Sequence, residues 1–294
     1  VSVKFAQGRE VVRPTTTPLK SSVLDHATVV TESSFGLRNN MGLWPSYACL
    51  DMTVPTALCA DPGSVKTFGF APWVPAVEGA VMGGVQCSNV GLDRDDMKAE
   101  VARVFALAEG KGVEQLLLYN RFVERANGSD EVGPEWDAPT DLTPSSDVSL
   151  MVALALLEGH AAANYAGVPT IHMPRAAATM LEGNGLIVWE GDLAYTKNKS
   201  KVAMGGGYDD EDMLASGAWT MYATGAVYVE RAEDIGVHDY PILPGFVTAQ
   251  AAEDGYDANT DPNLFTDNTL LVLAERMFRV AVDCFTAQAT GTVF

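Results

Sequence analysis

The stretch from Gly91 to Tyr119, GLDRDDMKAEVARVFALAEGKGVEQLLLY, constrains this chain more than any other. Met97, Val101, Val104, Phe105 and Ala108 recur at the i, i+4, i+7, i+8 and i+11 spacing of one helix face. Asp93 stands at the N-cap place, and Asp95 and Asp96 lie where the positive end of a helix dipole favours negative charge. Gly110 and Gly112 interrupt the pattern, so the helix is expected to end or kink there. The helix divides an irregular, Pro- and Gly-rich segment from a denser run of short helices and strands. A layout of that kind suits a structural protein.

At 294 residues, 47% of them hydrophobic, the chain is long enough to bury a sizeable core as one large or two modest domains. Its net charge of −19 argues against a nucleic-acid-binding surface over the whole molecule. The basic residues that do cluster are Lys197, Lys199 and Lys201, and the pair Arg121 and Arg125. The longest apolar run, Leu150 to Leu157, falls well short of the ~20 residues that cross a bilayer. No membrane span or secretory leader is expected. Cys49, Cys59, Cys87 and Cys284 form no CxxC pair and stand at no zinc-finger spacing, so buried free thiols are expected.

Residues 1 to about 60 read as an extended arm, with one short strand around Ala27 to Thr31. Pro45, Pro55, Pro62 and Gly63 break regular structure, yet Trp44, Tyr47, Leu50 and Leu58 are large and apolar. A segment both irregular and apolar is expected to lie across a neighbouring subunit. Residues 66–87 suit an extended loop or long hairpin better than a packed strand pair. Residues 124–145 read as an acidic surface loop. Ser145 or Ser146 then caps a second helix, apolar nearly all round and hence central to a core. VPTIHM reads as a buried strand and PRAAATML as a short helix, followed by the strands LIVW, LAYT, KVAMG, WTMYAT and AVYVERAED. Residues 236–268 look loop-like. The alternation from Glu275 to Cys284 makes a long strand with one buried face that ends the protein.

GGGYDDEDM, with Gly205, Gly206 and Gly207 before Asp209, Asp210, Glu211 and Asp212, lacks the lysine of a phosphate loop and the ligand spacing of a calcium loop. It reads as a solvated loop. His26, His160, His172 and His238 are far apart, and His160 and His172 read as structural histidines. GxSxG, HExxH and GxGxxG fingerprints are missing from the sequence. No catalytic, cofactor-binding or metal site is expected, and the protein is not expected to be an enzyme. Glu109 and Glu114 read either as a solvated helix face or as salt-bridge partners of Arg94 or Arg103 on a neighbouring subunit.

Three stretches carry a family resemblance. EGAVMGGVQCSNVGLDRDDMKAEVARVFALAEGKGVEQLLL resembles a loop-to-spine-helix passage, and SLMVALALLEGHAAANYAGVPTIHMPRAAATML a peripheral-domain helix leading into an axial domain. ATGAVYVERAED with NTLLVLAERMFRVAVDCFTAQA resembles closing strands. Together they resemble the major capsid proteins of tailed bacteriophages, of the Hong Kong 97-type fold and actinobacteriophage-like, and the related encapsulin shells.

The resemblance implies an α+β fold with an N-terminal arm (1–60), an extended loop (61–90), and a peripheral domain with the spine helix (91–166). An axial domain (167–265) and a return strand of the peripheral domain (266–294) complete it. It also implies self-assembly into pentamers and hexamers of an icosahedral head around double-stranded DNA, with portal, scaffolding or decoration proteins as further partners. DNA would lie nearby without specific binding, and the virion would be assembled in the host cytoplasm. Trp44, Tyr47, Lys66, Phe68, Phe70, Trp73, Arg94, Arg103, Glu109 and Glu114 would be inter-subunit contacts. Some family members crosslink a loop lysine to a distant asparagine; Lys66 with Asn259, Asn263 or Asn268 stands in the matching places. The competing readings are an encapsulin-type compartment, a tail-tube or decoration protein, and a metal-dependent hydrolase using Asp209, Asp210, Glu211 and a histidine.

Overall fold

The computed structural model describes residues 2–4, 10–12, 16–32, 43–45, 73–88, 94–119, 139–144, 148–209, 217–241, 269–283 and 285–292. They form an α+β fold of two compact units. Unit 1 comprises Val1–Pro18, Ala80–Glu109 and Asp234–Arg276, and unit 2 comprises Leu19–Gly79, Gly110–Glu233 and Met277–Phe294.

The first half contributes β1 (Ser2–Lys4), β2 (Glu10–Val12), α1 (Val23–His26), β3 (Thr28–Glu32), β4 (Leu43–Pro45), β5 (Trp73–Pro75), β6 (Val77–Ser88) and α2 (Arg94–Leu117). The middle contributes β7 (Thr140–Asp141), α3 (Leu150–Asn164), β8 (Thr170–His172), α4 (Arg175–Gly183), β9 (Ile187–Glu190), β10 (Leu193–Thr196) and β11 (Lys201–Ala203). β12 (Ala218–Thr224), β13 (Val227–Ala232), β14 (Gly236–Pro241), β15 (Thr269–Val282) and β16 (Thr286–Thr292) complete the chain.

Unit 2 is built on a seven-stranded sheet in the order β7-β16-β12-β8-β11-β10-β9. β8–β11 and β16–β7 are parallel pairs within an otherwise antiparallel ladder. α3 starts where the Ser149 side chain accepts the Val152 N–H, not at Ser145 or Ser146. Apolar nearly all round, it is central to the core as its sequence suggests, and the face it buries is Leu150, Ala153, Leu154, Leu157 and Ala161. That face packs with Met173, Leu181, Val202, Met221 and Ala289 into the core, while Met151 and Val152 stay exposed. Also in unit 2, β13 pairs antiparallel with the second half of β15, from Val227↔Val282 to Arg231↔Phe278. β3 runs parallel to β13 as the last strand of that sheet. β4 and β5 make a separate antiparallel pair.

In unit 1, Met97, Val101 and Phe105 of α2 pack on Val272 and Ala274 of β15, with Val81, Ile235 and Val237 at the margin. β14 pairs with the first half of β15 from Gly236↔Glu275 to Pro241↔Leu270, so the expected loop begins as a strand. β6 also pairs with β15. β1 and β2 form an antiparallel pair.

α2 corrects the opening expectation in two ways. It runs 24 residues without ending at Gly110 or Gly112, about 36 Å at 1.5 Å per residue. Its buried stripe is Met97, Val101, Phe105, Glu109, Val113 and Leu117, in steps of four, while Val104 and Ala108 face solvent. β15 alternates buried and half-buried residues at first, but both faces are buried from Phe278 to Val282. It does not end the protein, because β16 follows and joins the other sheet.

Candidate functional site: a buried carboxylate held by backbone amides

The triple glycine that reads as a solvated loop is largely buried. Gly205, Gly207 and Tyr208 are all buried, and the loop encloses an anion supplied by the chain itself. Glu114 Oε1 accepts the Gly205 N–H at 2.8 Å and the Val23 N–H at 2.9 Å, and Oε2 accepts the Gly207 N–H at 2.8 Å. Successive backbone amides aimed at one point form an anion-binding concavity. Here a carboxylate fills it.

Each glycine answers a separate steric demand. A Cβ on Gly205 would stand 2.7 Å from both Glu114 Oε1 and Ser22 Cβ, and one on Gly207 would overlap Glu114 Cβ and the Lys111 carbonyl. Gly206 has φ +96°, a region that L side chains rarely adopt. Gly110 belongs to the same junction, since a Cβ there would meet Ser22 Cβ and Oγ at 2.8 Å. The helix tolerates this glycine because its missing side chain admits the N-terminal segment.

Glu114 is fully buried. Burial pushes its carboxyl up to about 7, against the pull of the Gly207, Gly205 and Val23 amides, and Asp209 adds like charge. Asp209 is itself oriented, its Oδ1 accepting the Arg175 N–H at 2.9 Å.

Behind the loop, His172 is completely buried between Tyr208 and Thr224. Thr224 Oγ1 donates to the Gly225 carbonyl at 2.9 Å, so its one proton is committed. His172 Nε2–H therefore donates to Thr224 Oγ1 at 2.9 Å, and Tyr208 O–H donates to Nδ1 at 2.7 Å. Burial holds the ring neutral, its pKa lowered to about 3. His172 is the structural histidine that its place in the sequence suggested.

The N-terminal segment is pinned by a second knot. Ser21, at φ 59°, donates its hydroxyl proton to the Val202 carbonyl at 2.7 Å and accepts the Ala194 N–H at 2.9 Å. His26 Nε2–H therefore donates to Ser21 Oγ at 2.8 Å, and His26 Nδ1 finds no partner among the described residues. With its proton given to a carbonyl, Ser21 is an anchor and not an activated nucleophile.

Of the residues the sequence singles out, Glu109 and Glu114 are corrected. Neither lies on a solvated face: the four-residue step through Met97, Val101 and Phe105 carries Glu109 inward, and Glu114 is buried next to Val113. Glu109 pairs with Arg276 of the same chain, not with Arg94 or Arg103. Arg94 pairs with Asp239, which Lys98 also reaches at 2.8 Å. Arg103 holds Glu100 at 2.8 Å and donates to Thr16 Oγ1 at 3.0 Å. Trp44 and Trp73 fall in β4 and β5, whose backbones alone are described. Tyr47, Lys66, Phe68, Phe70, Asn259, Asn263, Asn268, Asp210, Glu211 and the cysteines other than Cys87 lie outside the described residues. Among the described residues no group of three or more His, Cys, Asp or Glu side chains is placed to hold a metal, and no helix is long and apolar enough to cross a membrane.

The class defined by these elements is a mixed α+β protein of two units, one of which carries a buried polar cluster around Glu114. No family model matches the sequence, and no curated protein matches it. Among solved structures, the fold is similar to a chain of Mycobacterium phage Adephagia, at 14% identity and TM-score 0.48, over 98% of this chain and 95% of that one. It is similar to a chain of Mycobacterium phage Cain at 14% identity and TM-score 0.48, over 95% and 91%. A chain described as the capsid of a native GTA particle matches at 12% identity and TM-score 0.47, over 98% and 97%.

Proposed function

We propose that this chain is a structural, non-enzymatic subunit of a closed icosahedral shell, of the kind that encloses double-stranded DNA in tailed bacteriophages. The observation that carries this reading is the position of the apolar side chains. In unit 1, Met82 on β6 is 62% exposed, with Val85 and, on α2, Val104 also open to water. In unit 2, Met151 on α3 is 48% exposed beside Val152, and Val29 and Val30 stand out on the terminal strand β3. A chain with net charge −19 does not lack charged residues to place on its surface. Apolar area left in water forgoes about 25 cal/mol per Å², and such surface on long extended elements suits coverage by neighbouring copies. The edge of β3, which has no further strand partner among the described residues, offers the same copies a backbone template.

On this reading the arm (1–60), the extended loop (61–90) and the peripheral and axial domains of the family layout organise the subunit. Trp44, Tyr47, Lys66, Phe68, Phe70, Trp73, Arg94 and Arg103 are the candidate inter-subunit contacts. The partners are copies of the chain as pentamers and hexamers, joined by portal, scaffolding or decoration proteins, in a virion assembled in the host cytoplasm. Light scattering with negative-stain microscopy on the purified protein tests this. Closed hollow particles of uniform size are expected, and nuclease-resistant nucleic acid inside them separates a DNA container from a protein-cargo compartment. A monomer or small oligomer under all conditions overturns the proposal.

A further inference from the structure

Glu114 is fully buried, and each of its hydrogen bonds is one it accepts. Oε1 takes the Val23 and Gly205 N–H groups and Oε2 takes the Gly207 N–H. No described residue offers an acceptor to an O–H on either oxygen, so a proton placed there would meet only donors. The arrangement fits a carboxylate.

None of the nearby cations is spent on it. Lys20 is bonded to Asp192, Lys111 is exposed, and Lys201 Nζ donates to the His26 carbonyl. Arg175 donates to Asp209 and to the Met204 carbonyl. Asp209, the charge that does act on Glu114, has the same sign. Compensation therefore falls to backbone dipoles, delivered by two segments remote in sequence onto one point. Gly205 and Gly207 leave no room there for side chains of their own.

We propose that the Val23, Gly205 and Gly207 amides form a receptor for a carboxylate, that Glu114 is its built-in anionic ligand, and that this charge holds residues 19–26 and the loop 204–209 to α2. The inference concerns unit 2 alone and holds whether or not the chain forms shells.

Two properties of such a receptor can be read from the geometry. The first is a demand for charge, because an ionised acceptor makes hydrogen bonds roughly twice as strong as a neutral one. A glutamine in place of Glu114 keeps one carbonyl but turns its NH2 toward Gly207 in one orientation, or toward Val23 and Gly205 in the other. Either way a donor faces a donor. The second is independence from the Ser21 knot. Ser21 Oγ holds Val202 and Ala194, and the Ser21 carbonyl accepts the Met204 N–H at 2.8 Å, without any help from Glu114. Loss of the anion therefore loosens the segment and the loop locally while the sheet stays folded.

Hydrogen exchange followed by mass spectrometry on the full chain tests the receptor, at pH 8, above the value to which burial pushes the carboxyl. Peptides spanning 19–26 and 203–209 report on the seat, and β10 is the reference. Glu114→Ala is expected to lower protection of the first two by about 30-fold and to leave β10 unchanged. Formate, the smallest carboxylate, is expected to restore most of that loss. Formamide, its neutral isostere, and chloride at the same ionic strength are expected to restore none. Glu114→Gln is expected to lose protection as Glu114→Ala does and to gain nothing from formate, because its side chain fills the seat. Wild-type protection in Glu114→Gln overturns the proposal. So does a Glu114→Ala protein that ignores formate, or that formamide restores as fully. If Glu114→Ala folds only with formate present, the proposal stands; if it folds in neither condition, the Glu114→Gln comparison decides.

Discussion

In unit 2, α3 and α4 join one continuous apolar core over a seven-stranded sheet, and the polar groups carried inside are held in knots around Glu114, His172 and Ser21. In unit 1, the described core is a thin layer between one stripe of α2 and one face of β15, flanked by the Glu109–Arg276 and Asp239 ion pairs. Met82, Val85 and Val104 stand outside that layer. The contrast lies in the packing beneath: unit 2 closes a continuous core and unit 1 a single layer, while both leave large apolar side chains exposed, Met151 and Val152 in the one and Met82 and Val85 in the other.

The sharpest way to break this comparison is to damage the closed core. Leu157→Ala, at a fully buried position, is expected to cost about 4 kcal/mol, read as a large drop in the denaturant midpoint of unit 2. Acid probes the same core. The neutral His172 ring contributes stability that is complete above the unfolded histidine pKa of 6.5 and is lost as pH falls toward 3. About 4 kcal/mol is expected to disappear by pH 3, and a His172→Gln protein is expected to show a much shallower acid transition in urea melts. In unit 1, Glu109→Gln leaves the Arg276 charge without its carboxylate and is expected to cost about 2 kcal/mol, read by hydrogen exchange confined to β14, β15 and α2. Smallest in stability is Met82→Asp with Val85→Asp. Both side chains are exposed, so the subunit melts within about 0.5 kcal/mol of wild type while assembly, measured by sedimentation velocity, is lost.

The elements with strong local signals were legible in the sequence. The long helix, the strand at Thr28–Glu32, β8 and the strands from Ile187 to Ala232 fall close to where periodicity and turn residues put them. What local reasoning missed depends on residues far away in the chain. Gly110 reads as a helix breaker until Ser22 is seen packed against it. GGGY reads as solvated because its acceptor, Glu114, lies 91 residues earlier than Gly205. Gly236–Pro241 reads as a loop because its pattern is mixed, yet β15 supplies a ladder that imposes the strand. The inward turn of Glu109 did leave a sequence signal, the four-residue step from Met97 through Val101 and Phe105. Glu114 falls one position beyond the next step at Val113, and what buries it is the loop that closes over its carboxyl.

The central claim is that apolar surface on the long elements is completed by copies of the same chain. Hydroxyl-radical footprinting of Met82 and Met151, in assembled particles and in subunits dissociated from them, tests it most directly. The account predicts strong labelling of both methionines in free subunits and strong protection in particles. Equal labelling in the two states would contradict it.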